Sequence, residues 1–248
     1  MNDRDKALLD SFAASNEGKQ FVIAYGGDGT LLNVVAKTKG KKGIIPIRDY
    51  ARCDAHKDLL EEVCTGSLKD ASAIRHGLKC SKHSFLTAYA NGSKIDKTPI
   101  SEIVVKNSDP TEAMRFSVVV NGKKYMSQCI ADGFIFSSAM GSHGYFKSIA
   151  RTIFIDPNSV GLAYLSPTYG ICNLVLRNTD KLKIIFERST VVTMAFDKEV
   201  ETMPFSKDGE IEFMQSCDGV SLFGYDIFCC PECRRLRNST VVNDQWLG

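Results

Sequence analysis

The pattern of apolar and polar positions divides the chain into two regions. The region nearer the N-terminus has the patterns of both strands and helices. The apolar run 21–25 predicts a β-strand, and Leu31, Leu32 and Val35 then recur at helical spacing, which predicts a helix over 30–38. A second apolar run, IIPI at 44–47, follows this helix. The pattern therefore predicts a β-α-β unit with two parallel strands.

Two further helices are predicted on either side of this unit. Residues 4–14, RDKALLDSFAA, have the pattern of a short amphipathic helix. Residues 54–64, DAHKDLLEEVC, place Leu59, Leu60 and Val63 on one face, with Asp54 able to cap the first turn. The first region of the chain is therefore expected to be α/β.

From about residue 84 the apolar residues come in short runs of the length of β-strands. The turn pairs Asn91-Gly92, Asn121-Gly122 and Asp132-Gly133 separate several of these runs and predict hairpin turns. The predicted strands are 84–90, 100–106, 114–120, 123–131, 134–138, 161–166, 172–177, 181–187, 190–197, 210–215 and 221–228. Many short strands at regular spacing favour two packed sheets.

The change of period predicts a two-domain organisation. We expect an α/β N-terminal domain at residues 1–95, followed by a β-sandwich-like all-β domain at 96–228. The remaining residues, 229–248, form a C-terminal tail that can pack back on the first domain. No internal repeat or low-complexity tract is visible.

The turn between the first strand and its helix has the composition of a phosphate-binding loop. Gly26, Gly27 and Gly29 allow backbone N–H groups to approach an anion, and the following helix adds its N-terminal N–H groups and dipole. Asp28 is unusual there, because a carboxylate repels phosphate unless it binds Mg²⁺ or accepts a proton from the group being phosphorylated. The pattern indicates phosphoryl transfer, with a simple Asp-Gly hairpin turn as the alternative.

Composition and charge narrow the classes of partner. The chain has 248 residues, of which 44% are hydrophobic and 24% charged, which is typical of a globular protein, and a net charge of +2 gives no reason to expect nucleic acid. The charged N-terminus is unlike a signal peptide, and no apolar run is long enough to cross a membrane. We expect no membrane partner, a cytoplasmic location, and reduced thiols at the nine scattered cysteines.

A second polar, glycine-containing loop interrupts the strand pattern between Asp132 and Ser148. After the strand FIF come serines and glycines, and then Tyr145, Phe146 and Ile149 resume at helical spacing. Hydroxyl groups, N–H groups and an aromatic face suit a nucleoside with ribose and phosphates. An ordinary Ser/Gly connection is the alternative for this segment taken alone.

Together the two loops make the chain resemble the NAD kinase family, which is related to the diacylglycerol and sphingosine kinases through a shared GGDGT. The family has GGDGT on an α/β domain and, about a hundred residues later, a DG-x-I-x-STPTGSTAY loop on a β-rich domain. Here these motifs read GGDGT at 26–30 and DGFIFSSAMGSHGY at 132–145. The family's Asn-Glu pair corresponds to Ser101-Glu102. The resemblance covers residues 20–225 and implies transfer of a phosphoryl group from ATP, or from polyphosphate in some members, to the 2′-hydroxyl of the adenosine ribose of NAD.

The resemblance also implies roles for individual residues. Asp28 would be the catalytic acid that activates the ribose hydroxyl or organises Mg²⁺, which would be bound chiefly by phosphates and waters and by no protein side chain other than Asp28. Phosphate and ATP binding would fall to Gly26, Gly27, Gly29 and Thr30. NAD binding would fall to Ser101, Glu102, Asp132, His143, Gly144, Tyr145 and Ser148. The substrates would be ATP and NAD or NADH, and a homo-oligomer, either dimer or tetramer, would be expected.

Several positions depart from the family pattern. Ser101 replaces Asn, and Ala139, Met140, His143 and Gly144 replace Pro, Thr, Thr and Ala. The glycine-rich turn after the second strand is replaced by IRDYARCD. Two alternatives therefore stay open: a related lipid kinase, or a non-catalytic or divergent dinucleotide-binding protein.

One further pattern has the spacing of a metal site. Cys230 and Cys233 form a C-x2-C pair, but no second pair has such spacing, so free thiols are favoured over a zinc site.

Overall fold

A computed structural model of the chain describes residues 21–48 and 78–231. The predicted helices at 4–14 and 54–64, and Cys233 of the C-x2-C pair, lie outside these residues. The chain divides into two compact units. The described part of the first unit consists of residues 21–34, 40–48, 78–82 and 221–231, and the second consists of 35–39 and 83–220.

The first unit contains the β-α-β element predicted from the apolar pattern. Strand β1 (Phe21–Tyr25) leads into helix α1 (Asp28–Thr38), and strand β2 (Gly43–Ile47) follows. The two strands are parallel and in full register along their five residues. On the other side of β2, the end of a later strand pairs in parallel, with Leu222 opposite Ile44. The predicted parallel pair is therefore confirmed.

The second unit is built mainly of strands. Its strands, two of which extend into the first unit, are β3 (Cys80–Ala90), β4 (Ser93–Lys94), β5 (Glu102–Asn107), β6 (Met114–Val120), β7 (Lys123–Ala131), β8 (Gly133–Ser138), β9 (Ser159–Leu165), β10 (Leu174–Arg177), β11 (Leu182–Phe186), β12 (Thr190–Phe196), β13 (Glu199–Phe205) and β14 (Glu210–Phe223). A 3₁₀ turn (Gly141–His143) and helix α2 (Tyr145–Ala150) separate β8 from β9. After β14 comes the short helix α3 (Tyr225–Phe228), which belongs to the first unit.

Two sheets enclose the core of the second unit, as the strand pattern predicted. In one sheet the strands of this unit follow the order β14-β11-β6-β7, and β3 pairs with β14 and β4. The other sheet has the order β10-β9-β8-β5-β12-β13. Aromatic rings from both sheets meet between them: Phe134 on β8 lies 5.3 Å from Phe116 on β6 and 5.8 Å from Phe213 on β14, measured between ring centroids. Burial of such rings is the main stabilising contribution to a core of this kind.

Three sequence predictions differ from the structure. Asp132-Gly133 is not a hairpin turn, because β7 pairs with β6 in one sheet whereas β8 pairs with β5 and β9 in the other. The run 221–228 is not one strand: its first three residues end β14, and α3 begins after Gly224, whose φ is +74°. Strand β13 was missed, because Glu199, Glu201 and Pro204 made its sequence look like a loop.

The helices of the described residues are short. None of them has both the length and the apolar character that a membrane crossing requires.

The aromatic core gives a prediction about stability. Phe134 is fully buried, so Phe134→Ala removes a large apolar side chain and leaves a cavity between the sheets. We expect the free energy of unfolding to fall by about 3–5 kcal/mol. Urea unfolding measures this value, with Tyr125→Ala as the matched control, because the Tyr125 ring is 53% exposed. A loss below about 1 kcal/mol for Phe134→Ala would contradict the packing described.

Candidate functional site

The glycine turn in the first unit is shaped by contacts that exclude larger residues at one position. Gly26 has a φ of +146°, and a Cβ there would lie 2.5 Å from the hydroxyl of Thr30. The Gly26 N–H donates to the carbonyl of Ile47 at 2.8 Å, which ties the turn to the end of β2. At Gly27 a Cβ would meet nothing within 4 Å, so open space lies beside this residue.

Helix α1 begins immediately after this open space. The carbonyl of Gly27 accepts N–H groups from Thr30 at 3.0 Å and from Leu31 at 3.2 Å, so Gly27 holds the position before the first helical residue. The first N–H groups of a helix have no acceptor within the helix, and the dipole makes this end positive. The turn predicted from the glycines therefore has the geometry of an anion-binding helix N-terminus.

Asp28, the first residue of α1, is held by an arginine that the sequence analysis did not identify as a site residue. Its Oδ1 accepts a hydrogen bond from Arg48 Nη2 at 2.8 Å. The Asp28 side chain is 55% exposed, whereas that of Arg48 is 6% exposed. The partly exposed carboxylate of Asp28 is thus bound by a buried cation, Arg48.

Helix α3 holds Arg48 in turn. Arg48 Nε donates to the carbonyl of Phe228 at 2.8 Å, and the guanidinium carbon lies 3.9 Å from the centroid of the Phe228 ring. Tyr225 stacks beside Phe228, with the ring centroids 6.0 Å apart. Burial first, and then the neighbouring Cys229 and Asp28, raise the pKa of Tyr225, so its hydroxyl stays protonated. The Asp28 carboxylate thus lies in a cluster with both a buried cation and a neutral phenol.

These groups suit a phosphate and its magnesium ion. Open space at Gly27 leaves room for phosphate oxygens near the helix N-terminus, and Asp28 is one carboxylate at its edge. Mg²⁺ usually takes one or two carboxylates and completes its shell with phosphates and waters, so a single carboxylate fits this mode of binding. No group of three or more His, Cys, Asp or Glu side chains that could hold a metal occurs in the described ranges.

The second unit holds Ser101 and Glu102 in place through a partly buried carboxylate. Asp197, in the turn between β12 and β13, accepts backbone N–H groups from Ile100 at 2.8 Å, Ser101 at 3.2 Å and Glu102 at 2.9 Å. Burial raises the pKa of Asp197 to about 6, although these three N–H groups act in the opposite direction. The start of β5 is thereby fixed by Asp197.

Glu102 connects this strand to helix α2. Its Oε2 accepts the N–H of Phe146 at 3.3 Å, in the first turn of α2. Burial raises the pKa of Glu102 to about 7, and the nearby Asp197 acts in the same direction. A carboxyl group of this kind exchanges its proton near neutral pH and can either donate or accept a hydrogen bond.

The serines of the loop 137–142 are structural, which corrects the interpretation that the hydroxyls of this loop serve a nucleoside. Ser138 Oγ donates to the carbonyl of Ile100 at 2.6 Å, and Ser142 Oγ donates to Ala139 and accepts the N–H of Phe154. Ser137 is also fully buried. A Cβ on Gly141 would lie 2.1 Å from the carbonyl oxygen of Ser101, so only glycine fits there.

Other residues of this loop face outward. His143, Gly144, Tyr145 and Ser148 are exposed, and Ser148 Oγ donates to the carbonyl of Tyr145 at 2.7 Å. Tyr145 and Asp132 line a pocket of about 300 Å³, together with Lys106, whose ammonium lies 5.5 Å from the Tyr145 ring centroid. The structure therefore brings Asp132 and Tyr145 together, and Glu102 approaches the same short helix from β5.

Arg48 and Asp197 are the residues that sequence reasoning missed. Arg48 directly follows an apolar strand, and a charged residue at a strand end usually faces solvent. Asp197 lies in an ordinary turn sequence, and no local pattern shows that it reaches residues 100–102. One signal could have pointed to Arg48. The segment IRDYARCD, which contains it, stands where the family has a glycine-rich turn.

Comparison with proteins of known function finds relatives in sequence, among them two archaeal NAD kinases. No family model matches the chain. It is 27% identical over 153 residues to the NAD kinase of Methanosarcina barkeri, which covers 61% of this chain and 53% of that protein. It is also 27% identical over 154 residues to the NAD kinase of Methanosarcina mazei, covering 61% and 51%. The chain thus spans about half the length of the curated relatives that it matches.

Solved structures resemble the fold over most of the chain. The yeast NADH kinase complexed with NADH superposes with a TM-score of 0.67 and 15% identity, over 91% of this chain and 69% of that one. The NAD kinase from Archaeoglobus fulgidus in complex with ATP superposes with a TM-score of 0.65 and 20% identity, over 91% and 92%. The sequence relatives confirm the resemblance to NAD kinases. The solved structures confirm the two-domain, strand-rich fold class.

The partly buried carboxyl of Glu102 gives a prediction about pH. Because folding raises its pKa from an ordinary value of 4.5 to about 7, the folded state keeps a proton between these pH values that the unfolded chain releases. Glu102 therefore makes the free energy of unfolding fall as the pH rises through this window. We expect Glu102→Gln to become more stable relative to wild type, by up to about 3 kcal/mol, between pH 4.5 and pH 7.

Urea unfolding at a series of pH values measures this difference. Asp208→Asn is the control, since Asp208 is exposed in a turn and its replacement leaves the turn unchanged. A constant difference between Glu102→Gln and wild type across the window would contradict the assigned burial.

Proposed function

We propose that the chain is an NAD kinase, which transfers the γ-phosphoryl group of ATP to the 2′-hydroxyl of the adenosine ribose of NAD to give NADP. The observation that supports this most strongly is the placement of Asp28. Its carboxylate lies at a helix N-terminus beside an open glycine turn, in a chain similar to curated NAD kinases. An acid in such a position can accept the proton of a hydroxyl that is being phosphorylated, which simple phosphate binding does not require.

The proposed reaction assigns the proton and the phosphoryl group as follows. Asp28 accepts the proton of the ribose 2′-hydroxyl, the ribose oxygen forms a bond to the γ-phosphorus, and the bond from that phosphorus to the bridging oxygen of ADP breaks. ADP leaves with the bonding electrons. Because such a transition state needs little covalent help, alignment and charge neutralisation supply most of the rate enhancement.

The glycine turn is proposed to hold the phosphates. Gly26, Gly27 and Gly29 would present backbone N–H groups, and Thr30 would act from the first turn of α1. When bound, Mg²⁺ would neutralise phosphate charge, with Asp28 the protein side chain nearest to it. ATP is the proposed donor, and polyphosphate is the alternative donor.

The second unit is proposed to bind NAD. Ser101 and Glu102 would contact the adenosine part, since Asp197 fixes their backbone and Glu102 can accept hydrogen bonds from ribose hydroxyls. The exposed loop residues would contribute further contacts: His143, Gly144, Tyr145 and Ser148, with Asp132 beside Tyr145 in the pocket.

Two alternatives are separated by assay. A lipid kinase would share GGDGT but has no use for the second loop. A non-catalytic dinucleotide-binding protein is favoured by Ser101 and by the internal use of the loop serines. Formation of NADP supports the kinase, phosphorylation of diacylglycerol supports the first alternative, and NAD binding without turnover supports the second.

The assembly and location are also proposals. We propose a homo-oligomer, either dimer or tetramer. Exposed apolar side chains in the second unit support this: Ile155 is 93% exposed, Tyr169 69% and Val175 57%. Oligomer interfaces commonly cover such groups. The cytoplasmic location stays a prediction.

Removal of the proposed base gives a prediction about turnover. Asp28→Asn keeps the size of the side chain but cannot accept the hydroxyl proton, so we expect kcat to fall by about 10²–10⁴-fold while NAD still binds. The rate of NADP formation with Mg-ATP and NAD, read with an NADP-specific dehydrogenase, measures this. Asp96→Asn is the matched control, because Asp96 also forms an ion pair at 2.8 Å, with Lys39. Unchanged turnover in Asp28→Asn would remove the assigned base.

Removal of Glu102 gives a prediction about affinity. Glu102→Ala deletes an acceptor proposed for ribose hydroxyls, and a hydrogen bond to a charged group is worth about 1.5–3 kcal/mol, so we expect the KM for NAD to rise about 10- to 100-fold. The KM for ATP should stay within about threefold of wild type. Initial rates at varied NAD and ATP separate the two values. Equal increases in both KM values would indicate general damage rather than lost NAD contact.

A further inference from the structure

We infer that Arg48 is a positioning residue, which orients the Asp28 carboxylate for the transfer step. This inference rests on the proposed kinase activity and deepens it. Three contacts of Arg48 support it: the Asp28 ion pair, the hydrogen bond to the carbonyl of Phe228, and the stack on the Phe228 ring.

The burial of Arg48 distinguishes it from the other cations of the described residues that form ion pairs. Its side chain is 6% exposed, whereas Lys97, Lys183, Arg188 and Lys39 in the other pairs are 24–46% exposed. Exposed pairs move freely and contribute little, but a cation enclosed on several sides has one orientation. The fixed guanidinium therefore also restricts the orientation of the Asp28 carboxylate that it binds.

An arginine is needed because its two contacts point in different directions. Nε donates to the Phe228 carbonyl and Nη2 donates to Asp28 Oδ1, both at 2.8 Å, through one rigid planar group. A lysine has a single ammonium on a flexible chain and lacks the planar fork. It can reach the carboxylate or the carbonyl, but it cannot fix the angle between them.

The orientation of Asp28 matters because its side chain is 55% exposed and is the one proposed to meet the substrate hydroxyl. A general base must meet the hydroxyl proton at hydrogen-bond distance, and displacement of about 1 Å can lower the rate about 100-fold. Arg48 would therefore act on kcat through Asp28, without contact to either substrate.

A purely structural role for Arg48 makes a different prediction. A buried arginine that only stabilises the first unit would, when replaced, lower the stability of the fold and leave the turnover of folded molecules unchanged. Kinetics on folded protein therefore separate the two roles.

The principal test is the full chain with Arg48→Lys, assayed for NADP formation below its unfolding temperature. We expect kcat to fall about 10- to 100-fold, with the KM for ATP and for NAD within about threefold of wild type. Lys183→Arg is the matched control, because it exchanges the cation in the 2.9 Å pair with Glu210 and should leave kcat unchanged. In the double variant Arg48→Lys with Asp28→Asn, we expect kcat to be close to that of Asp28→Asn alone, because Arg48 acts through Asp28.

Chemical rescue supplies a readout that a structural role would not produce. Arg48→Ala leaves space for a guanidinium ion, so added guanidinium at millimolar concentration should restore kcat at least about fivefold in Arg48→Ala and not in Asp28→Asn. If Arg48→Ala does not fold, Phe228→Leu replaces it as the test. Phe228→Leu keeps the carbonyl acceptor and removes the ring, and should lower kcat about 3- to 10-fold.

The outcomes separate this inference from the proposed function. An active wild type with Arg48→Lys at wild-type kcat leaves the kinase in place and overturns the role of Arg48. Additive losses in the double variant overturn it as well. A wild type that forms no NADP removes both proposals at once.

Discussion

A buried guanidinium, that of Arg48, binds the Asp28 carboxylate at the start of helix α1. Several elements of the first unit contribute to this contact. Arg48 follows directly after β2, the carbonyl of Phe228 in α3 accepts its second hydrogen bond, and Asp28 directly follows the glycine turn. Residues far apart in sequence thus meet at the guanidinium group of Arg48. Removal of Arg48 takes away the ion pair that Asp28 makes with it at 2.8 Å.

The second unit uses the same device with the charges reversed. Asp197 is a partly buried carboxylate whose oxygens accept three backbone N–H groups at the start of β5. Arg48 orients a side chain, whereas Asp197 orients a length of backbone that includes Ser101 and Glu102. In both units a charged group that makes several hydrogen bonds fixes neighbouring residues, which suits groups that must meet a substrate in one geometry.

The sequence predicted the elements whose pattern is local. The β-α-β unit and strands β6 and β7 follow from periodicity and from Asn121-Gly122, whose backbone fits a tight hairpin turn. Periodicity could not show that β7 and β8 lie in different sheets, because Asp132-Gly133 has the composition of a hairpin turn but joins two layers. Pairing between distant strands is decided by the core, which the local pattern does not describe.

In the candidate site, too, the sequence predicted the local motifs but not the contacts between distant residues. The glycines and Asp28 form a local motif, and the structure has the turn they indicate. Arg48 and Asp197 act over 20 and 95 or more residues, so no motif contains them together with their partners. The loop 137–142 shows the converse case, because its serines resemble ligands in sequence but bond to the backbone in the structure.

A crystal structure of the chain with NAD and a non-hydrolysable ATP analogue would test the role of Asp28 directly. We expect a carboxylate oxygen of Asp28 within about 3.2 Å of the 2′-oxygen of the adenosine ribose, with Arg48 still bonded to Asp28. A bound NAD whose 2′-hydroxyl lies beyond hydrogen-bond reach of Asp28, directly or through one water, would contradict it.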